Sequence, residues 1–250
     1  MVRIDKRLVR LRFERSLPSY SEHALVQREM AERLLRALAA RGRRRFPRVL
    51  EFGCGSGLLT ERLAAAFDYD SLVINDLVEE CESLAGGIPR SVFLPGDIES
   101  ITVPDRLDLV VSNAVVQWLD DLPDVLERLR AKMNPGAVLA FSTFGPENLR
   151  ETARLSGAGL AYRSIDQLKR VVGERFRVRL AEETIRRLYF DSPQDVLHHL
   201  RRTGVTGLSG RRWTSAVLRD FYANYDRLFR DANGVSLTYH PIIMVAETTS

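Results

Sequence analysis

Residues Val49 to Gly57, reading Val-Leu-Glu-Phe-Gly-Cys-Gly-Ser-Gly, constrain the fold of this 250-residue chain more than any other stretch. An apolar run that ends in an acid and passes straight into Gly53, Gly55 and Gly57 reads as a buried strand turning abruptly into a helix. Glycine is needed there wherever the backbone takes a positive φ or lies against a ligand. A turn of this kind holds a nucleotide. Its spacing is close to the dinucleotide fingerprint G-x-G-x-x-G, with the third glycine one residue early. No G-x-x-x-x-G-K-S/T occurs in the chain, which excludes a phosphate-cradling P-loop.

Two further acids narrow the ligand. Asp76 ends Leu72-Val73-Ile74-Asn75-Asp76, and Asp97 ends Val92-Phe93-Leu94-Pro95-Gly96-Asp97. Asp76 stands where a ribose-binding acid is expected at the tip of a second strand. Three acids at three successive strand tips suit a neutral adenosine with free ribose hydroxyls and a cationic sulfonium, and they repel a phosphate-rich ligand. The expected cofactor is therefore S-adenosylmethionine.

At 45% hydrophobic and 28% charged residues, the composition is that of an ordinary globular chain long enough for one α/β domain with an insertion. No apolar stretch reaches the roughly 20 residues of a spanning helix, and Met1-Val2-Arg3-Ile4-Asp5-Lys6 opens no signal peptide, so no membrane role and a cytoplasmic location are expected. Cys54 and Cys81 have no metal-ligand spacing and fit a reducing compartment; no metal is expected. Basic residues crowd the N-terminal segment, through Arg3, Lys6, Arg7, Arg10, Arg12 and Arg15, and again at Arg41, Arg43, Arg44, Arg45 and Arg48. Such clusters can dock an acidic partner. Of the 37 basic residues only Lys6, Lys132 and Lys169 are lysines, so a general arginine bias is the better explanation of the clusters from sequence alone.

Residues 21–40 predict an amphipathic helix, with Ala31, Leu34, Leu35 and Leu38 on one face, placed to lie across the site as a lid. Strand and helix patterns then alternate: strands at 48–53, 71–76, 91–96, 107–113 and 137–143, and helices at 58–67, 78–85 and 121–133. This predicts an α/β fold, a Rossmann-like parallel sheet with helices on both faces and its ligand at the carboxyl ends of the strands. Beyond residue 145 a helix at 164–173 leads to a strand from Phe176. Ser192-Pro193-Gln194-Asp195 starts another helix. A last strand is expected over Val235–Ala246, with Pro241 marking a bend or an edge. The division is thus 1–47 for the N-terminal lid segment and helix, and 48–250 for one domain with a helical cap inserted at about 190–233.

The sequence E-x-G-x-G-x-G, the strand-end Asp76, Gly96-Asp97-Ile98-Glu99 and Asp108-Leu109-Val110-Val111-Ser112-Asn113 resemble the class I S-adenosylmethionine-dependent methyltransferases. The resemblance implies that Glu51, Gly53, Gly55 and Gly57 hold the methionine part and that Asp76, with Leu77, grips the ribose. It implies that Asp97 and Ile98 meet the adenine and that Asn113 faces the acceptor. Phe13-x-Arg15-x-x-x-x-Tyr20-x-x-His23-Ala24-x-x-Gln27-Arg28, Ser112-Asn113-x-x-x-Gln117-Trp118 and Leu237-Thr238-Tyr239-His240 are similar to the malonyl-carrier-protein O-methyltransferases of biotin synthesis. That resemblance implies an acyl-carrier protein bearing a malonyl thioester as partner. It places Tyr20 and Arg201 at the reacting groups, with Arg201 or Arg202 gripping the acceptor anion, and His23, Gln27, Gln117 and Trp118 on the substrate side.

A carboxylate acceptor is ionised at neutral pH, so its methylation needs no general base. Nucleic acid is a weaker acceptor reading, because Ser112-Asn113-Ala114-Val115 stands where an amino-methylating enzyme has (D/N/S)-P-P-(Y/F/W). A small free acid or quinone precursor, and a non-catalytic cofactor-binding assembly factor, are the other readings.

Overall fold

The computed structural model describes residues 5–157, 159–204 and 214–249. Two N-terminal helices, α1 (Lys6–His23) and α2 (Leu25–Ala39), precede β1 (Arg48–Phe52), α3 (Thr60–Ala66), β2 (Ser71–Asp76), α4 (Glu82–Ala85), β3 (Ser91–Pro95) and β4 (Leu107–Asn113). There follow α5 (Leu122–Lys132), β5 (Met133–Phe144), α6 (Arg150–Ser156), α7 (Ile165–Gly173) and β6 (Phe176–Glu183). The remaining elements are β7 (Arg186–Phe190), α8 (Pro193–Arg202), α9 (Ser215–Phe229), β8 (Arg230–Asp231), β9 (Gly234–Tyr239) and β10 (Pro241–Thr248).

Seven strands form one sheet in the order β3-β2-β1-β4-β5-β10-β6, in which β10 runs antiparallel to both neighbours. Successive side chains of a strand point to opposite faces, and both faces of this sheet are covered. Val49, Leu72, Ile74, Leu109, Val111 and Val245 enter one apolar core, and their neighbours Leu50, Val73, Val110, Leu139 and Met244 enter the other. That two-sided burial is why the strands read as continuous apolar runs. The chain order reverses between β1 and β4, and a crevice opens there at the carboxyl ends, where open α/β sheets take their ligands.

The N-terminal region differs from expectation. Helix α2 is not a lid: Met30, Ala31, Leu34 and Leu38 are almost completely buried and make it part of the core. The lid is a separate helix, α1, capped by the Asp5 carboxylate, which accepts from Leu8 N at 3.0 Å. Pro18 lies inside α1 and only Ser16 is buried within it, so neither propensity nor an apolar stripe announced it.

The C-terminal region is also corrected. The insertion expected at about 190–233 holds α8 and α9 as helices, but the strands that flank it, β7 and β9, join with the short β8 in a separate antiparallel sheet against which these helices pack. The expected single strand over 235–246 is two strands in two sheets, parted at His240. Pro241, without an N–H, occupies the first position of β10, where the loss of a ladder donor is tolerated.

Candidate active site

The turn after β1 places its three glycines at positive φ, but each for a different reason. A Cβ on Gly53 would stand 2.2 Å from Val115, and one on Gly57 would stand 2.6 Å from Leu84, so both positions are closed by packing. A Cβ on Gly55 meets nothing within 4 Å, and Gly55 faces a cleft of about 970 Å³, its open mouth included. Gly57, expected against the cofactor, is not among the residues that line this cleft; it lets the turn pack on α4.

Asp76 is the fixed point of the cleft wall. Its Oδ2 accepts Gly55 N–H and its Oδ1 accepts Val78 N–H, each at 2.8 Å, which ties the glycine turn to the end of β2. Burial raises its pKa, and the Val78, Gly55 and Leu77 N–H groups oppose that rise. Asp76 stands in the cleft wall itself, so its carboxylate faces a ligand entering there. Leu77, Asp97, Ile98 and Asn113 also line the cleft. Asp97 accepts Glu99 N–H at 3.0 Å, and Asn113 donates to Gln27 O at 3.1 Å. Glu51 lies behind the glycine turn rather than in the lining, 1% exposed, and its Oε2 has no partner. Burial pushes its carboxyl up to about 8. Ser56 Oγ, at the same turn, is likewise buried without a partner. The orphaned Glu51 and Ser56 oxygens, the open face over Gly55 and the Asp76 carboxylate in the cleft wall fit an adenosyl-amino acid with a cationic amino group.

Helix α1 roofs the cleft through Lys6, Val9, Phe13, Leu17 and Tyr20. Its first turn is pinned by Lys6, which pairs with Asp97 at 3.2 Å and closely with Glu99. Glu99 is itself fixed by the N–H groups of Asp120 and Asp121. At the other end of α1, His23 Nε2 lies 2.8 Å from Arg202 on α8. His23 thus straps the lid to the insertion and lines neither space of the site.

A second, much smaller and narrow space, about 340 Å³ with its open mouth included, adjoins the cleft, with Phe13, Tyr20, Ala114 and Trp118 in the wall of both. Tyr20, Gln27, Gln117 and Trp118, expected on the substrate side, all border it. Gln117 is oriented by donating to Ala114 O and accepting from Thr143 Oγ1, at 2.6 and 2.9 Å. Trp118 meets Phe13 edge-on at 5.8 Å. Burial and Asp76 raise the Tyr20 phenol, which stays protonated. Arg201, expected to grip the acceptor anion, is exposed in this structure and borders neither space.

Sequence reasoning missed Ala114, Asn148, Tyr162 and Thr203, as well as the inward role of Tyr239. Ala114 takes a φ of 58° on the shared wall, a conformation that in a non-glycine residue marks a constrained site and leaves no sign in the sequence.

The fold and the site define a class I S-adenosylmethionine-dependent methyltransferase. A family model described as a methyltransferase domain matches residues 22–204. The chain has the fold of the YcgJ protein of Bacillus subtilis, with a TM-score of 0.65 at 12% identity over 88% of this chain and 99% of that one. It is also similar to the N-methyltransferase NodS of Bradyrhizobium japonicum in complex with S-adenosyl-L-homocysteine, with a TM-score of 0.54 at 15% identity, covering 89% of this chain and 87% of that one. Among curated proteins it is 45% identical to the malonyl-(acyl-carrier protein) O-methyltransferase of Chlorobium phaeovibrioides over 96% of each chain. It is 34% identical to the protein of that name from Acinetobacter baylyi over 100% of this chain and 99% of the relative. The chain belongs to the malonyl-(acyl-carrier protein) O-methyltransferase family.

Proposed function

We propose that the chain methylates the free carboxylate of a malonyl thioester borne by an acyl-carrier protein, in the cytoplasm, at an early step of biotin synthesis. The observation that carries this reading is the second space beside the cofactor cleft: among the described residues its wall is uncharged, made of aromatic, aliphatic and neutral polar side chains, with Tyr20 on the common wall. The family relationship agrees with it.

When bound, S-adenosylmethionine supplies an electrophilic methyl group on a cationic sulfur. In this reading Asp76 holds the ribose hydroxyls, Asp97 and Ile98 receive the adenine, and Glu51 with the Gly53 and Gly55 backbone receives the amino-acid part. Asn113, Gln27 and Gln117 fix the wall between the two spaces, and Tyr20 and Trp118 close it against water. An ionised acceptor carboxylate would take that methyl group without losing a proton, so the described residues of this wall would need to hold and orient it and not to act as a general base. The two opposite charges vanish together, a change that a low-dielectric chamber favours.

Carrier docking belongs to the outer face of α1, where Arg7, Leu8, Leu11 and Arg15 are exposed beside the site. The second basic cluster is a poor dock. Arg41 pairs with Glu247, Arg43 with Asp108 and Arg45 with Asp70, all at the amino ends of the parallel strands and so opposite the crevice.

Incubating the purified chain with methyl-labelled cofactor and malonyl-carrier, acetyl-carrier or RNA tests the reading. Label is expected only on malonyl-carrier, as an ester released by alkali. Labelling of acetyl-carrier or RNA, or none on malonyl-carrier, overturns it.

A further inference from the structure

We infer that the second space is the subsite for the acceptor carboxylate and that it grips this anion with neutral phenols, Tyr162 and Tyr239, the latter aimed by His199. The inference rests on the proposed acceptor and goes further by naming the groups that recognise it.

Tyr162 and Tyr239 both border the space, and each has its oxygen engaged from behind. Asn148 accepts His240 N–H at 3.2 Å through Oδ1 and donates through Nδ2 to Tyr162 Oη at 2.9 Å. The Asn148 amide is therefore fixed in one orientation. A phenol that already accepts a hydrogen bond has its proton to give, and that proton is available to an acceptor in the chamber. The second phenol is arranged in the same way. His199 Nε2 lies 2.8 Å from Tyr239 Oη, across an edge-on ring contact of 6.0 Å. Burial pushes His199 down to about 4, so the ring is neutral at physiological pH. In its Nε2–H tautomer the imidazole donates to Tyr239 Oη and leaves the phenol its own proton to give, either to the neighbouring Thr203 hydroxyl or to an anion in the chamber. Burial also raises both phenols, Tyr162 to about 12, so neither ionises in the working range.

Among the described residues no arginine or lysine side chain borders this space. Neutral donors have a chemical advantage here. A guanidinium clamp lowers the charge density of the oxygen that must attack, and it keeps its own charge after the carboxylate has become an ester. Phenols orient the carboxylate and leave the sulfonium as its counter-charge, so the product loses only hydrogen bonds. The same chamber disfavours acceptors ending in a methyl group, which leave two buried phenolic protons unmet.

The test uses the full chain saturated with S-adenosylhomocysteine and titrated with malonyl-pantetheine and acetyl-pantetheine. Wild type is expected to prefer the malonyl thioester. Tyr162→Phe and Tyr239→Phe should each weaken malonyl-pantetheine on the order of tenfold, the value of one hydrogen bond to a charged group, with acetyl-pantetheine and S-adenosylhomocysteine affinities unchanged. His199→Phe should reproduce the Tyr239→Phe loss, His199→Gln should restore most of it, and His199→Phe should add nothing in a Tyr239→Phe background. An added loss in that background makes His199 merely structural and overturns its part. If wild type prefers malonyl but both tyrosine variants keep the preference, while Arg201→Ala or Arg202→Ala abolishes it, the phenol assignment fails and the proposed acceptor stands. If wild type shows no preference, both fail.

Discussion

Glu51 carries a proton that free glutamate would have lost. Its native carboxyl titrates at about 8 because it is buried, against 4.5 for the unperturbed group. Between these values the native state holds the proton and the unfolded state does not, so this residue's contribution makes the unliganded chain less stable as pH rises from about 4.5 to 8. A cationic amino group placed beside it reverses the preference. Cofactor binding at pH 7 should therefore release most of a proton, read by calorimetry in buffers of different ionisation enthalpy, and Glu51→Gln should abolish the release. Equal heats in all buffers for wild type would remove Glu51 from the cofactor site. At this scale the wall of the first cleft was legible in the sequence, because Asp76 and Asn113 end strands, Leu77, Asp97 and Ile98 follow strand ends closely, and a strand tip fixes direction. The second space was legible only on the side of Tyr20, Gln27, Gln117 and Trp118, because Asn148, Tyr162, Thr203 and Tyr239 come from loops, a helix end and a second sheet that only long-range contacts bring together.

Among the elements, the break between β9 and β10 governs the floor of the acceptor space. His240 sits there nearly buried, with Nε2 3.0 Å from Glu183 Oε2 and Nδ1 accepting Glu147 N–H at 3.2 Å. A Cβ on Gly145 would come within 2.6 Å of the His240 ring, although Gly145 has no unusual φ. Gly145→Ala should thus cost about 1–3 kcal/mol by overpacking, seen as a lower denaturation midpoint. His240→Ala in the same chain should recover part of that loss, and simple additivity of the two would show that the ring is not the obstacle. Pro241 marked the place in the sequence, but the change of sheet there escaped sequence reasoning because apolar residues run on both sides of it; periodicity reports burial, not which sheet provides it. Strands β2 and β4 were read to the residue because each is an apolar run closed by polar groups.

For the whole molecule, the two basic clusters lie at opposite ends of the sheet, and only one end holds chemistry. Charge complementarity chiefly raises association rates and is screened as the Debye length falls to about 8 Å at physiological salt. Arg7→Glu with Arg15→Glu should slow methylation of carrier-bound malonyl at low salt and leave malonyl-pantetheine unaffected. Arg43→Glu with Arg45→Glu should leave both substrates unaffected. The opposite ranking, measured as initial rates across a salt series, would put the dock at the far end.

Helix α1 is at once the roof of the cofactor cleft, a wall of the acceptor space and the surface assigned to the carrier. Lys6 latches its start to Asp97 and His23 ties its end to Arg202, and an expected consequence is that the roof lifts for the cofactor to pass. A carrier resting on that roof holds it down. The kinetic order follows from this: cofactor enters first, the methylated carrier departs before the spent cofactor, and each docking event yields a single turnover. Methylated carrier should accordingly inhibit noncompetitively against both substrates, and spent cofactor competitively against the methyl donor alone.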